Sequence, residues 1–322
     1  MSKRDSLLYL NKADLSHLDI TPVEMADELE ALISACATGA AWNLPKTAVT
    51  PDDNRLFMST LAIADSSGLT SCKALGLNHR NASRGIDHIN ALVTLFDSDT
   101  GEPIAIMDGN WITAVRTAAV SAVAARHLGR KSSSSIAFIG CGVQALTHFD
   151  AFHAIFDLTD IRAFGRGQTN LDKLCAHATA MGVKATACNN ARTAVEGADL
   201  VVTTVPDSPG FEPFLDAGWL VPGAFVAMVD LSRSWYPRGL ATFDKIFIED
   251  LRQERTMTPP MLDLTMVSGD LNDLVTGARP GRENENQRLG FAFRGLAVGD
   301  LALASLAYRA AVAQSKGTQL PR

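Results

Sequence analysis

The chain has 322 residues, 47% hydrophobic and 20% charged, with a formal net charge of −6. That length buries the core of one large domain or two ordinary ones, and the dispersed, mildly negative charge disfavours nucleic acid and anionic membranes as partners. No apolar run reaches the ~20 residues that span a bilayer. The N-terminal MSKRDSLLYLNKADL has no sustained apolar stretch, so no signal peptide is read there. Five cysteines lie scattered without a Cys-x-x-Cys pair, which argues against a disulfide framework or a zinc site and for a reducing, cytoplasmic location.

In chain order, residues 22–37 carry apolar positions at helical spacing behind Thr21, a suitable N-cap. Residues 55–63 and 69–77 read as strands. INALVTLFDSDTGEPIAIMDG reads as a hairpin around a Asp-Ser-Asp-Thr-Gly turn. The first hundred residues thus predict a helix and an antiparallel sheet. NWITAVRTAAVSAVAARHL is a long alanine-rich helix that ends in the loop GRKSSSS. From Ile136 strand and helix signals alternate: IAFIG, QALTHFDAFHAIF, DIRAFG, TNLDKLCAHATAM, KATAC, ARTAVEGA, DLVVTTV, AFVAMVDL and KIFIED. Such alternation is the pattern of a doubly wound parallel sheet in an α/β protein. LAVGDLALASLAYRAAVAQ closes the chain as a further helix that returns to the first domain.

The strand Ile136–Ile139 runs into Gly140-x-Gly142-x-x-Ala145 and then into a helix. In a βαβ unit the first glycine permits the tight turn, the second lets backbone approach a pyrophosphate, and the third small residue lets helix and strand pack. Val143 and Gln144 fall in the first helical turn, whose amides suit phosphate. A tight turn with no ligand is the alternative. An acid that would bind ribose hydroxyls, ~20 residues on, is missing; Arg166 stands there between Gly165 and Gly167. Arg166 could pair with the 2′-phosphate of NADP, stack on adenine, or face solvent, so the cofactor is NAD(P)H with NAD against NADP open.

DGNWITAVRTAAVSAVAARHL, IGCGVQALTHFDAF, GLAVGDLALASLAYRAA and ALVTLFDSDTGEPIAIMDG together resemble the ornithine cyclodeaminase / mu-crystallin family in order and spacing, over nearly the whole chain. The resemblance implies a homodimer. It implies a Rossmann-type domain, 116–299, inserted into an α+β substrate-binding and dimerisation domain, 1–115 plus 300–322. It implies hydride transfer between nicotinamide and the α-carbon of an amino or imino acid.

The resemblance also places a substrate carboxylate among three basic residues. Lys46, in LPKTAV, stands where the family normally has arginine, and offers a point charge without a planar fork. Lys73 sits in an otherwise apolar strand, where it could bind the carboxylate or pass a proton to the imine nitrogen; the alternative is an edge-strand lysine facing water. Arg116, beside Thr113, Thr117, Ala118 and Ala119, would be poorly solvated unless it met an anion, either the substrate or a structural acid such as Asp108. Thr117 joins the expected cofactor contacts. The family's cyclodeaminases carry a catalytic aspartate where this chain has Ser232, with Asp230 two residues earlier. That offset keeps the face of a strand but moves the side chain by roughly 6–7 Å. Asp230 either assumes the role through a bulge or is a solvated turn acid or helix cap. Arg233, Asn78 and His79 are further candidates for substrate binding, and surplus cations fit a dicarboxylic imino acid such as iminosuccinate. His79 is a second possible proton donor. Cys72 and Cys141 read as packing residues.

The expected function is therefore an NAD(P)H-dependent reductase of a small α-imino acid, a cyclic pyrroline- or piperideine-carboxylate or an acyclic imino acid. The alternatives are an ornithine-type cyclodeaminase using bound NAD and a small-ligand binder of mu-crystallin type. No metal is expected.

Overall fold

A computed structural model of the chain describes residues 6–53, 55–208 and 210–322. Two units divide it, Met1–Arg116 with Leu296–Arg322, and Thr117–Gly295.

The first unit begins with β1 (Ser6–Leu10), α1 (Lys12–Ser16) and α2 (Pro22–Thr38). α2 starts where the sequence places it. The Thr21 hydroxyl accepts from the Glu24 amide, the Glu24 carboxylate accepts from the Thr21 amide, and Pro22 takes the first position. Gly39 ends the helix at φ 74°, a conformation open to glycine. Six strands follow: β2 (Ala41–Asn43), β3 (Thr47–Val49), β4 (Leu56–Ala64), β5 (Leu69–Leu77), β6 (Ile89–Asp97) and β7 (Pro103–Asp108). The β6–β7 hairpin turns on Asp97, whose carboxylate accepts from the amides of Asp99 and Thr100. α3 (Gly109–Leu128) begins in this unit and ends in the other.

The second unit alternates β8 (Ser135–Ile139), α4 (Val143–His153), β9 (Asp160–Phe164), α5 (Gln168–Ala180), β10 (Lys184–Ala187), α6 (Ala191–Val195) and β11 (Leu200–Thr203). It continues with β12 (Phe225–Met228), β13 (Lys245–Ile248), α7 (Leu251–Glu254), β14 (Val267–Asp270), α8 (Leu271–Thr276) and β15 (Leu289–Ala292). The chain then returns to the first unit with α9 (Ala297–Ala313) and β16 (Thr318–Pro321).

The sheet of the first unit runs β16-β1-β7-β6-β5-β4-β2, with β3 also on β4. It is mixed, not purely antiparallel as the sequence predicts, because β1 joins β7 in parallel. β1, β2, β3 and β16 have no counterpart among the sequence expectations. α9 is apolar on nearly every side through its first three turns and packs between β4, β5 and α2. The opposite sheet face is open: Phe57 and Leu61 on β4, Leu92 on β6, Val49 on β3 and Trp42 on β2 are all exposed. Strand alternation sends Thr60 and Lys73 the other way, to the α9 side.

The sheet of the second unit runs β10-β9-β8-β11-β12-β15-β13-β14, parallel throughout. From β8 the chain steps outward through β9 and β10, then crosses back to β11 and β12. The order therefore reverses between β8 and β11, whose C-terminal ends flank the crevice where such sheets bind ligands. β15 enters between β12 and β13 out of chain order; it and β14 are unread in the sequence.

Asp199 joins the N-terminal ends of those two central strands. Its carboxylate accepts from the Ser134 amide and from the amide and hydroxyl of Ser135, and pairs with Arg130. Burial opposes ionisation, but these bonds and Arg130 outweigh it and hold the carboxyl below its usual range. Asp199→Ala is expected to lose about 2–3 kcal/mol of stability at neutral pH. Because the folded pKa is depressed, that contribution is present above the unfolded value and is lost as pH falls through the folded one. Denaturant unfolding of variant and wild type should therefore differ at pH 7, and the difference should begin to shrink only below about pH 4; a pH-independent difference would refute the assignment.

Candidate active site

In the first unit, α9 brings Asp300 to the buried face of the sheet. Lys73 Nζ lies 2.5 Å from Asp300 Oδ1, and Arg116 Nε lies 3.2 Å from the same oxygen. The Thr60 hydroxyl donates to Oδ2 at 2.9 Å. Lys73 and Asp300 are each 1% exposed, and Arg116 is 7% exposed. Lys73 is thus an interior residue of a central strand, not an edge lysine in water. Arg116 meets Asp300, not Asp108, whose carboxylate instead accepts from the Trp111 amide in the first turn of α3. Burial pulls the Lys73 ammonium down to about 8 against the opposing pull of Asp300, and Arg116 adds to the lowering. Burial would raise the Asp300 carboxyl, but Lys73 and Arg116 outweigh it and keep it low. Two cations share one carboxylate, so the cluster carries one positive charge in excess.

Asp300 and Thr60 escape the sequence reading. The available signal is the one acid in AVGDLALASLA, a helix with no polar face for it. Such a residue needs a buried counter-cation.

Lys46 precedes β3 on a loop and is half-buried. Asn78 follows β5; its side-chain oxygen accepts from the Arg80 amide. His79 is exposed at the start of a 3-10 turn and its ring lies 4.6 Å from that of His88. Cys72, beside Lys73, faces the open side of the sheet, half-buried.

In the second unit, the glycine turn has the geometry its spacing predicts. Gly140 adopts φ 92°, and a Cβ there would lie 2.8 Å from the Thr204 hydroxyl oxygen at the end of β11. A Cβ on Gly142 would meet nothing within 4 Å. The open space belongs to a cavity of about 570 Å³ lined by Gly140, Gly142, Gly165, Arg166, Asn170 and Thr204 among others. Val143 is exposed at the first position of α4, Gln144 is half-buried at the second, and Ala145 is fully buried against the sheet. No side chain caps α4 at Gly142. A dinucleotide fits this site: the room at Gly142 would take a pyrophosphate, the first amides of α4 would meet it, and Arg166 would stand at the ribose. Thr117 is buried on α3. Cys141 is buried in the turn, its thiol pushed up to about 12 by burial and by Cys175, as befits an inert packing residue.

After β12 the chain makes a tight turn, with Leu231 and Ser232 at φ 61° and 60°. Asp230 sits behind it, 3% exposed, neither a solvated turn acid nor a helix cap. One carboxylate oxygen accepts from Thr203 at 2.8 Å and the other from Ser234 at 2.5 Å. Burial pushes its pKa up, against these bonds and Arg233. The Ser232 hydroxyl donates to the Met261 carbonyl, and Arg233 pairs with Asp207 at 3.1 Å. Among the described residues no cluster of His, Cys, Asp and Glu could hold a metal ion.

A parallel sheet with a glycine turn and an open cavity at its switch point defines a Rossmann-type dinucleotide-binding fold, here inserted into a second α/β unit. The family model for ornithine cyclodeaminase/mu-crystallin proteins matches residues 10–315, and the chain belongs to that family. It is 29% identical over 298 residues to the ketimine reductase mu-crystallin of Rattus norvegicus, covering 91% of this chain and 92% of that one. The Delta(1)-pyrroline-2-carboxylate reductase of Thermococcus litoralis, solved with NADH and L-proline, superposes with a TM-score of 0.89 at 26% identity, over 98% of this chain and all of that one. An archaeal alanine dehydrogenase dimer with bound NAD superposes with a TM-score of 0.87 at 25% identity, over 98% and 99% of the two chains.

Asp300→Asn is expected to leave Lys73 and Arg116 without their anion and to lower stability by about 3 kcal/mol at pH 7. Denaturant unfolding checks this, and an unchanged midpoint would show that the three charges do not hold α9 to the sheet.

Proposed function

We propose that the chain is an NAD(P)H-dependent reductase of a small α-imino acid. The observation that carries this reading is the pair of buried cations on one carboxylate. A buried excess charge calls for an anion, and an α-imino acid supplies a carboxylate one bond from the carbon to be reduced. The ketimine and pyrroline-carboxylate reductases among its relatives support the same chemistry.

Reduced nicotinamide, when bound, supplies the hydride that goes to the α-carbon. Arg116 orients the substrate carboxylate, since a guanidinium matches its two oxygens. Lys73 completes the charge balance and gives a proton to the imine nitrogen, so that C=N becomes CH–NH. Asp300 and Thr60 hold these two side chains and do not touch substrate. Asp230 is a positioning residue for the turn that presents Ser232 and Arg233, and Lys46, Asn78 and His79 shape the remainder of the substrate-binding unit. Arg166 takes the ribose end of the cofactor and favours NADPH.

One experiment tests the reading. Loss of NADPH and of NADH is followed against cyclic pyrroline- and piperideine-carboxylates and against 2-oxo acids, oxaloacetate included, with ammonia. Consumption with an imine, faster with NADPH, is expected. Because Lys73 must be protonated to act, the rate should fall as pH rises through about 8, and Lys73→Arg, whose guanidinium keeps its proton, should lose most of the rate and that pH dependence with it. Ammonia release from ornithine without net cofactor change would favour a cyclodeaminase, and tight binding without turnover a binding protein. Either result overturns the reductase.

The protein is further proposed to be a homodimer built on the open sheet face of the first unit. Phe57 and Leu61 on β4 and Leu92 two strands away on β6, level with the position between them, share that face, each 43–53% exposed. An apolar patch of this kind on a sheet marks an interface, and the related alanine dehydrogenase is a dimer. Wild type should sediment at twice the 34.4 kDa chain mass, and Leu92→Glu should shift it to monomer. A monomeric wild type would refute the dimer.

A further inference from the structure

The seam between α3 and α4 contains one polar pair. Ser121 on α3 and His148 on α4 are both fully buried. Their neighbours Val120, Ala122, Ala124, Ala145, Phe149 and Phe152 are buried hydrophobics. His148 Nδ1 lies 2.7 Å from the Gln144 carbonyl oxygen, and Nε2 lies 2.9 Å from the Ser121 hydroxyl. A carbonyl only accepts, so Nδ1 carries the proton, Nε2 carries a lone pair, and Ser121 donates to it. The ring is neutral throughout the physiological range, because burial lowers its pKa to about 4 against the Gln144 bond. Both nitrogens are thus used, and no proton is left to exchange.

An apolar pair would fill this seam without exposing polar groups to a dry interior. A histidine and a serine there fix one register of helix against helix, where alanine and phenylalanine surfaces tolerate several. The register matters because Gln144 is in the first turn of α4. Gly142 offers that turn no side-chain cap, and in the cofactor reading its amides are those that meet the pyrophosphate. His148 is the side chain that grips the turn from behind and ties it to α3, five residues beyond Arg116.

We propose that Ser121 and His148 are positioning residues for the dinucleotide, holding the first turn of α4 at the height its amides need to bind the pyrophosphate. This rests on reading the Gly140–Ala145 turn as the cofactor site. The prediction separates cofactor affinity from everything else. Ser121→Ala should raise the dissociation constant for NADPH and NADH about tenfold, read by fluorescence titration of the full chain. At saturating cofactor, kcat and the KM of the accepted imine should stay within about twofold. His148→Asn keeps a donor for Gln144 but is too short for Ser121, and should weaken cofactor binding to a similar degree. Ser121→Thr, which keeps the hydroxyl, should restore binding. If Ser121→Ala does not fold, Ser121→Cys gives a weaker donor of the same shape and an intermediate affinity. A lowered melting midpoint with unchanged dissociation constants in the folded variants would make the pair merely structural and overturn the proposal. Wild type that binds neither dinucleotide would overturn the cofactor site itself, and the proposal with it.

Discussion

A carboxylate at the buried start of a largely apolar helix is the constraint around which the first unit is arranged. Asp300 has no solvent to face, because α9 lies between the sheet and α2. An isolated charge there would cost several kcal/mol. The Thr60 hydroxyl and the Lys73 and Arg116 cations meet that demand, from β4, β5 and α3. They fix the strand register as well: a slip of one residue in β5 would turn Lys73 to the open face and Cys72 inward. The same alternation that buries the cations leaves Phe57, Leu61 and Leu92 outside. The polar cluster and the open apolar face are thus two sides of one register, and in the proposed reading the first takes substrate and the second takes the partner.

The second unit meets a different constraint. Parallel strands end together, and their C-terminal ends leave backbone amides and carbonyls to be satisfied by loops. At the ends of β8 and β11 the solution is close contact: Gly140 abuts Thr204, whose hydroxyl donates to the Gly140 carbonyl. At the ends of β11 and β12 it is Asp230, bridging Thr203 and Ser234. Behind α4 it is His148. The last two are hydrogen-bond sets on fully or nearly fully buried side chains, which resist small displacements. The room at Gly142 is left open between them.

How much of this is legible in the sequence follows from how local each signal is. α2 carries its own cap and stop, the β6–β7 hairpin its own turn, and β8 with its glycines a motif complete within eleven residues. β1 and β16 are short and pair with each other across the length of the chain, and β15 gains its meaning only by entering between β12 and β13. The candidate site divides in the same way. Lys73 and Arg116 stand out as cations in apolar elements, a local signal. Their shared partner is 227 positions from Lys73, and nothing near either residue names it. Asp108, close to Arg116 in sequence, is the natural local choice and is occupied by the start of α3.

The turn after β12 separates the two reactions considered for this family. A cyclodeaminase needs a base to activate water, and a base needs a free lone pair within reach of solvent or substrate. Asp230 is buried behind the turn, 3% exposed, with its oxygens turned to Thr203 and Ser234 and away from solvent. Ser232, where the family resemblance expects an aspartate, gives its hydroxyl proton to the Met261 carbonyl. Hydride delivery to an imine asks less: an oriented α-carbon and a proton for nitrogen. In the proposed reading Arg116 and Lys73 supply these, with the Lys73 pKa brought near 8 by burial. In the proposed reading, the asymmetry between an acid buried behind its turn and a cluster that holds a proton near neutral pH is what favours reduction over water-dependent deamination.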